Sequence, residues 1–384
     1  MDWVRIGLLV AGGTAVAVGL LPVAAARQTG ERIAPLLVFL GSVIVLAQLA
    51  ARAEVFDVVA ARLTIAARGR TAVLFLLTLA FAALTTMVLN LDTTAVLLTP
   101  VLLATAVRAG VPALPLAMTT VWLANTASLL LPVSNLTNLL AMDRVGLRPL
   151  DFAARMWLPQ AVTILVVGGC LWVFFWRRSP ARYTPPEPTR PRDRRVFIAA
   201  SVACGLFLLA VVLGVAIEIV ALACAAGLVV AFAVWERASL SWSLVPWRLL
   251  VFVTGLFLVV DTIGRLGLSP WLGALIGTGD DAAGIARAAL TGGVLSNSLN
   301  NLPVYVAAEA VVPVANHDQL LGLLIGTNVA PLVTPWASLA TLIWFEGCRI
   351  AGVRISVRTF VLTGAVTATL ALGAAVAALI GTRL

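Results

Sequence analysis

Seven stretches of this chain, at about residues 4–24, 33–51, 157–176, 196–213, 216–235, 247–263 and 359–381, are apolar with almost no charge. Each is close to the roughly 20 residues that a helix needs to cross a bilayer core of about 30 Å. In hydrocarbon the backbone must satisfy its own hydrogen bonds, so such runs become helices. A transmembrane β-barrel needs short segments of alternating polarity, and these runs are continuous. A soluble enzyme is excluded as well. Of 384 residues, 61% are hydrophobic and 11% charged, against about 45–50% and 25% in soluble domains, too little polarity to cover a surface. Disorder requires low hydrophobicity and is excluded on the same ground. The fold class is an all-α polytopic membrane protein.

The chain carries a formal charge of +9, and all 26 of its basic side chains are arginine. Arginine gathers in cytoplasmic loops of membrane proteins. The charge therefore reads as topology, and nucleic acid is not an expected partner. Cys170, Cys204, Cys224 and Cys348 lie in or beside apolar runs without CxxC spacing. They read as buried small hydrophobes rather than disulfides or metal ligands. His317 is the single histidine, so a histidine-based metal or catalytic cluster cannot be built, and no cofactor is expected. The N-terminus resembles a signal peptide around "PVAAARQ". The repeat described next pairs this segment with 216–235 and argues that it is retained.

Two further regions, 114–142 and 318–347, are apolar but interrupted, and 71–107 and 283–315 are apolar arms around a polar tip. "NTASLLLPVSNLTNL" (Asn125–Leu139) aligns without gaps on "NVAPLVTPWASLATL" (Asn328–Leu342), an offset of 203 (328 minus 125). "LNLDTTAV" (Leu89–Val96) aligns on "LNNLPVYV" (Leu299–Val306), and Phe39, Gln48 and Arg52 fall on Phe252, Asp261 and Arg265. Order is kept while offsets drift, as loop-length differences produce. The expected organisation is repeat one over 1–176, a Pro- and Arg-rich cytoplasmic linker over 177–195, a connecting helix over 196–213, and repeat two over 214–384. The linker should be extended and solvated. If 71–107 re-enters its own side, repeat one and the connecting helix make five crossings, and repeat two is inverted. Inverted repeats with broken helices at matching positions point to a secondary transporter with its site at the midplane. Arginine counts place the N-terminus in the cytoplasm and the C-terminus outside a cell (inner or plasma) membrane. Arg27, Arg32, Arg144, Arg148, Arg155, Arg265, Arg287 and Arg383 then lie outside, and the other 18 inside.

Four polar clusters fall where helix breaks are needed. Hairpin one carries Asn90, Asp92, Thr93 and Thr94 at its tip. Hairpin two carries Ser296, Asn297, Ser298, Asn300 and Asn301, followed by Pro303. The first broken helix carries Asn125, Thr126, Ser128, Ser134, Asn135, Thr137 and Asn138 around Pro132. The second carries Thr327, Asn328, Thr334, Ser338 and Thr341 around Pro331 and Pro335. Non-helical backbone at membrane depth is tolerated where it lines a cavity or packs in protein. Amide and hydroxyl oxygens there coordinate cations, and freed N–H groups at half-helix N-termini hold anions or polar solutes. The plainer reading is helix capping and interhelical glue. Asp92 is the sharpest single residue, because a carboxylate in the apolar zone costs about 2.5–3.5 kcal/mol. It reads as the proton or coupling-ion site. Glu309, eight residues past Asn301, is expected nearer the surface.

At these clusters the sequence resembles the ion-transporter superfamily that includes sodium/proton antiporters and dicarboxylate symporters. It is most similar to the arsenite/antimonite efflux permeases. "DTTAVLLTP" (Asp92–Pro100), "SNLTNLLAMDRVGL" (Ser134–Leu147), "NNLPV" (Asn300–Val304) and "TPWASLATLIW" (Thr334–Trp344) stand in that family's order. The resemblance implies a scaffold plus a transport part of two hairpins and two broken helices. It implies export of arsenite or antimonite in exchange for protons, with sodium as the alternative coupling ion. A soluble ATPase partner is implied in some members, and a homodimer is compatible with it. Where the family usually has Asp-x-Gly-Pro-Lys, this chain has Asn328, Val329, Ala330, Pro331 and Leu332, and Leu91 stands where Asn is frequent. A small carboxylate, an inorganic anion or Na⁺/H⁺ exchange are the alternative cargoes.

Overall fold

A computed structural model describes residues 2–213 and 215–382. Met1, Gly214, Arg383 and Leu384 lie outside the described residues, and with Arg383 one of the expected exterior arginines. The described chain is helical, and a single isolated β-bridge, Arg70 with Arg182, is the only extended pairing within it. Eight segments are long and apolar enough to cross a membrane by length and composition, and Ile6–Ala17 is a shorter apolar helix.

The chain opens with α1 (Asp2–Ala17) and α2 (Val23–Arg52). The expected first boundary, residue 24, and second start, residue 33, are displaced: the turn lies before Val23, and α2 begins ten residues earlier than its apolar run. Hydropathy marks where a helix meets lipid, while Arg27–Arg32 continue the same helix beyond that zone. Pro35 sits inside α2 without ending it. Next comes α3 (Val55–Ala66), a short helix. Its Asp57 is half-buried. Burial pushes that carboxyl up, while the Arg108 guanidinium pulls it down.

Hairpin one is α4 (Thr71–Leu89), a one-turn helix α5 (Leu91–Thr93), a π-helical turn Thr94–Leu98 and α6 (Thr99–Ala109). The first broken helix is α7 (Ala113–Thr126) and α8 (Leu136–Val145), separated by a short turn at Pro132–Ser134. Helix α9 (Pro149–Leu171) closes this half, followed by α10 (Arg194–Val212). The second half repeats the order with α11 (Ile217–Trp235), α12 (Trp247–Ile263), α13 (Ser269–Ile276), a hairpin of α14 (Ala282–Ser298) and α15 (Asn301–Glu309), a broken helix of α16 (His317–Val329) and α17 (Leu339–Ile350), and α18 (Val357–Gly381). Pro303 falls in the first turn of α15, where its missing N–H is no loss.

The two halves exchange partners. Helix α1 packs along α12 and α11 along α2, while α7 packs on α17 and α8 on α16. Helix α7 is buried from Pro115 to Thr126 and α16 from Gln319 to Val329. Neither has a polar face, as expected of helices surrounded by protein. Small residues let α14 and α16 approach closely. A Cβ at Gly326 would collide with the Ala289 carbonyl.

The 177–195 linker is extended, as its proline content dictates, but part of it is not free in solvent. The Tyr183 N–H donates to Gly69 O at 2.9 Å, Thr71 N–H to Ala181 O at 3.1 Å, and the Tyr183 hydroxyl reaches Thr64 O. Arg192 pairs with Glu54. The linker therefore straps the base of hairpin one to α3. Composition registered its polarity, not the backbone partners it meets.

Candidate functional site: four helix N-termini around a cavity

Each polar cluster begins a helix. Asn90, Asn135, Asn300 and Ser338 are the N-caps of α5, α8, α15 and α17. Their side-chain oxygens accept from Thr93 N (2.9 Å), Thr137 N (3.2 Å), Leu302 N (3.3 Å) and Thr341 N (3.1 Å). Capping residues are chosen for this bond, which satisfies an otherwise orphaned backbone donor. Asn90 additionally sits at φ 101°, a left-handed conformation that costs a non-glycine residue about 1–3 kcal/mol and concentrates at functional sites.

A small cavity of about 40 Å³ lies among three of these caps, lined by Phe39, Asn90, Asp92, Asn135, Phe252, Asn300, Asn301 and Leu339 among others. Its lining includes three pairs of positions that the sequence alignment matches: Phe39 with Phe252, Asn90 with Asn300, Leu136 with Leu339. Asn90 Nδ2 and Asn135 Nδ2 are buried without partners, because capping engages only their oxygens. The positive ends of the half-helices and these spare donors make the lining donor-rich. Asp92 is its one carboxylate, half-buried and without a partner among the described residues. It also lines an adjoining cavity of about 180 Å³ with Gln48, Thr93 and Arg248.

Other expected residues form a lock behind the cavity. Thr137 Oγ1 donates to Asn328 Oδ1 and Asn328 Nδ2 to Asn138 Oδ1, both at 2.9 Å. Asn138 Nδ2 reaches Ser128 O, Leu131 O and Ser134 Oγ. Asn125 Nδ2 donates to Val121 O and Thr341 Oγ1, and Thr341 meets Ser338. Thr126 and Thr327 bond carbonyls of their own helices, Ser128 bonds Asn125 O, and Thr94 links Thr86 to Asn90 O. Asn125, Thr137, Asn138, Asn328 and Thr341 tie the two broken helices to one another, while Thr126, Ser128, Thr327 and Thr94 spend their hydrogen bonds within their own segments.

Four expected residues lie elsewhere. Asn297, Ser298 and Thr334 line a large lateral groove against α18, and Ser298 is exposed. Asn297 Nδ2 donates to Gly293 O and Ala330 O, and Thr334 Oγ1 to Asn297 O. Ser298 misses the cavity because it precedes the turn and its hydroxyl bonds back to Val294 O. Ser296 is buried with its hydroxyl unpartnered.

Sequence reasoning missed Gln160. It is buried in α9, accepts from Leu129 N at 2.7 Å and donates to Thr126 O at 3.0 Å. It thus satisfies the backbone that the first break sets free. The only signal was a lone amide inside an apolar run. Gln160→Ala strands one buried N–H and one buried C=O. At about 1–3 kcal/mol for each unpaired group, it should cost about 2–6 kcal/mol, read as a lower melting temperature of the purified protein. Gln48 and Arg248 were missed as well. Glu309 was placed nearer the surface, yet it is 1% exposed.

The sequence profile of the family described as Citrate transporter matches residues 1–341. The arsenical pump membrane protein of Yersinia enterocolitica is 29% identical over 280 residues, 66% of this chain and 65% of its own length. One from Escherichia coli is 29% identical over 305 residues, 72% and 70% of the two chains. The putative arsenical pump membrane protein of Bacillus subtilis (strain 168) is 23% identical over 337 residues, 75% and 74%. The chain thus spans about two thirds of the length of the first curated relatives it matches. The crystal structure of the Alcanivorax borkumensis YdaH transporter is similar in fold, with a TM-score of 0.53 at 14% identity over 99% of this chain and 96% of that one.

Proposed function

The chain belongs to the citrate transporter family, and from that premise we propose that it is a secondary active transporter exporting arsenite or antimonite in exchange for protons. The observation that carries this reading is the cavity among the half-helix N-termini, donor-rich and holding one carboxylate. Neutral arsenous acid presents hydroxyl oxygens, which suit amide N–H donors, and needs no thiol. None of the four cysteines lines this cavity. Asp92 takes the proton and the caps hold the solute, with Asn138, Asn328, Asn125 and Thr341 keeping the breaks in register. The relatives named arsenical pump membrane proteins support the cargo. The exchange of partners between halves supports inverted repeats with alternating access. A cytoplasmic N-terminus belongs to this reading and rests on the arginine distribution; the ion pairs group Arg32 with Asp143 and Glu309, Arg155 with Asp318, and Arg192 with Glu54. A second copy of the chain in the cell membrane, and a soluble ATPase as in some arsenite permeases, belong to the same reading.

A second reading is favoured by Arg248, which shares a cavity with Asp92: a small carboxylate carried with Na⁺ or H⁺, as the family description suggests. Expression in an arsenite-sensitive host that lacks its own efflux decides between them. Growth on arsenite should be restored. No rescue with the protein present in the membrane, together with cation-dependent uptake of a carboxylate into proteoliposomes, would establish the second reading instead.

A further inference from the structure

At the foot of hairpin two, Glu309 ends α15 almost fully enclosed, with a side chain 2% exposed. Its Oε1 accepts from Arg32 of α2 at 2.9 Å. Its other oxygen, Oε2, is buried without a partner. Arg32 also reaches Asp143 of α8, at 3.5 Å. Arg144 of α8 donates to Val312 O while its Nε is buried and unpaired. Tyr305, one turn before Glu309 and so on the same face of α15, is 0% exposed with its hydroxyl unpaired. Of these, Arg32, Arg144 and Glu309 border an open vestibule of about 460 Å³, which Thr29, Asp261 and Arg265 also line. Asp261 and Arg265, from α12 and the turn after it, pair with each other, and Thr29 donates to Asp261.

We propose that Glu309 is a second protonation site of this protein, exchanging protons with that vestibule, and that its ion pair with Arg32 is made and broken as hairpin two moves against α2. The vestibule supplies water to a carboxylate that is otherwise enclosed. The unpaired Oε2 offers the lone pair that a proton occupies, and the unpaired Tyr305 hydroxyl lies on the same helix face. The pair joins elements of different kinds, a spanning helix and a hairpin arm. A relative displacement of the two must separate Arg32 from Glu309, and a buried carboxylate stripped of its partner is costly unless it is neutralised. Protonation and movement are therefore linked. The facing charges do not cancel that link. Arg144 and Asp143 lie on α8, and Asp261 and Arg265 already neutralise one another. The assignment rests on the transporter reading above, but not on its cargo.

The test uses the full chain in liposomes. In pH-difference infrared spectra the wild type should show a protonated-carboxyl band that grows as pH falls and is absent from Glu309→Gln. Arg32→Gln should move that band to higher pH, because the carboxylate loses its nearest positive charge. Asp143→Asn, whose side chain is 63% exposed, should move it far less. Superimposable spectra of wild type and Glu309→Gln would overturn the proposal. If Glu309→Gln fails to fold, an unmoved band in Arg32→Gln overturns it in the same way. In arsenite counterflow, Glu309→Gln should still exchange solute while losing the dependence on pH at the vestibule side, and an unchanged pH profile also counts against the assignment. A wild type that shows no arsenite counterflow sinks the arsenite reading alone, since the infrared band then decides Glu309 by itself.

Discussion

Asp92→Asn should abolish proton-driven transport and leave the protein as stable as the wild type, or more so. The substitution preserves shape and removes both the charge and the titration. Asp92 has no ion-pair or hydrogen-bond partner among the described residues, so nothing in the fold is left stranded when the charge goes. A carboxylate in the apolar zone is tolerated at about 2.5–3.5 kcal/mol, and deleting that penalty can only raise the melting temperature. Function goes the other way. Among the described residues Asp92 is the sole carboxylate lining the two cavities at the hairpin tip, so none of those neighbours can take over its proton. Stabilisation with loss of activity is the signature of a functional rather than a structural polar group. The measurement is uptake driven by a pH gradient in everted membrane vesicles, paired with a thermal melt. PH-driven uptake at the wild-type level would remove Asp92 from the coupling role. A collapse of the melt would reassign it as a structural cap.

The legibility of this site in the sequence divides along a physical line. Polar side chains at breaks are conspicuous because an apolar run tolerates them only for a reason. Asn90, Asn135, Asn300 and Ser338 could therefore be picked out as break residues, and each caps a helix in the structure. Asn138 and Asn328 were picked out with the same weight, yet they bond one another and line neither of the cavities at the hairpin tip. One chain read alone does not say which side chains face a cavity and which face each other, because that depends on which helices cross. The same limit explains Gln160, whose partners lie in the first break, more than thirty residues away in sequence. It explains Glu309 too: its partner Arg32 is far away in sequence, in the part of α2 that precedes its apolar run. The fold class was readable throughout, since hydropathy alone carries it.

Asn138→Ala and Asn328→Ala should each destabilise the lock, and their effects should be less than additive. Asn138 is the hub. Its Nδ2 contacts two carbonyls and a hydroxyl of the first break, and its Oδ1 holds Asn328 of the second. Ser134 Oγ also reaches Ser128 O and Leu131 O, so those carbonyls keep one donor after truncation. The Asn328 amide does not, and Ser134 loses its other contact. The Asn328 amide is then the one buried group left unpaired, at a cost of about 1–3 kcal/mol. Asn328→Ala instead strands Asn138 Oδ1 and the Thr137 hydroxyl. In the double variant the Asn138–Asn328 bond is gone from both sides, and neither amide remains to be stranded by the other's absence. The coupling should then fall in the 0.5–3 kcal/mol range found for residues in one hydrogen-bond network, about 1 kcal/mol or more. Thermal melts of the wild type, both single variants and the double variant close the cycle. Strict additivity would mean that the two breaks are held independently, and that their register is set by packing of α7 and α16 rather than by these amides.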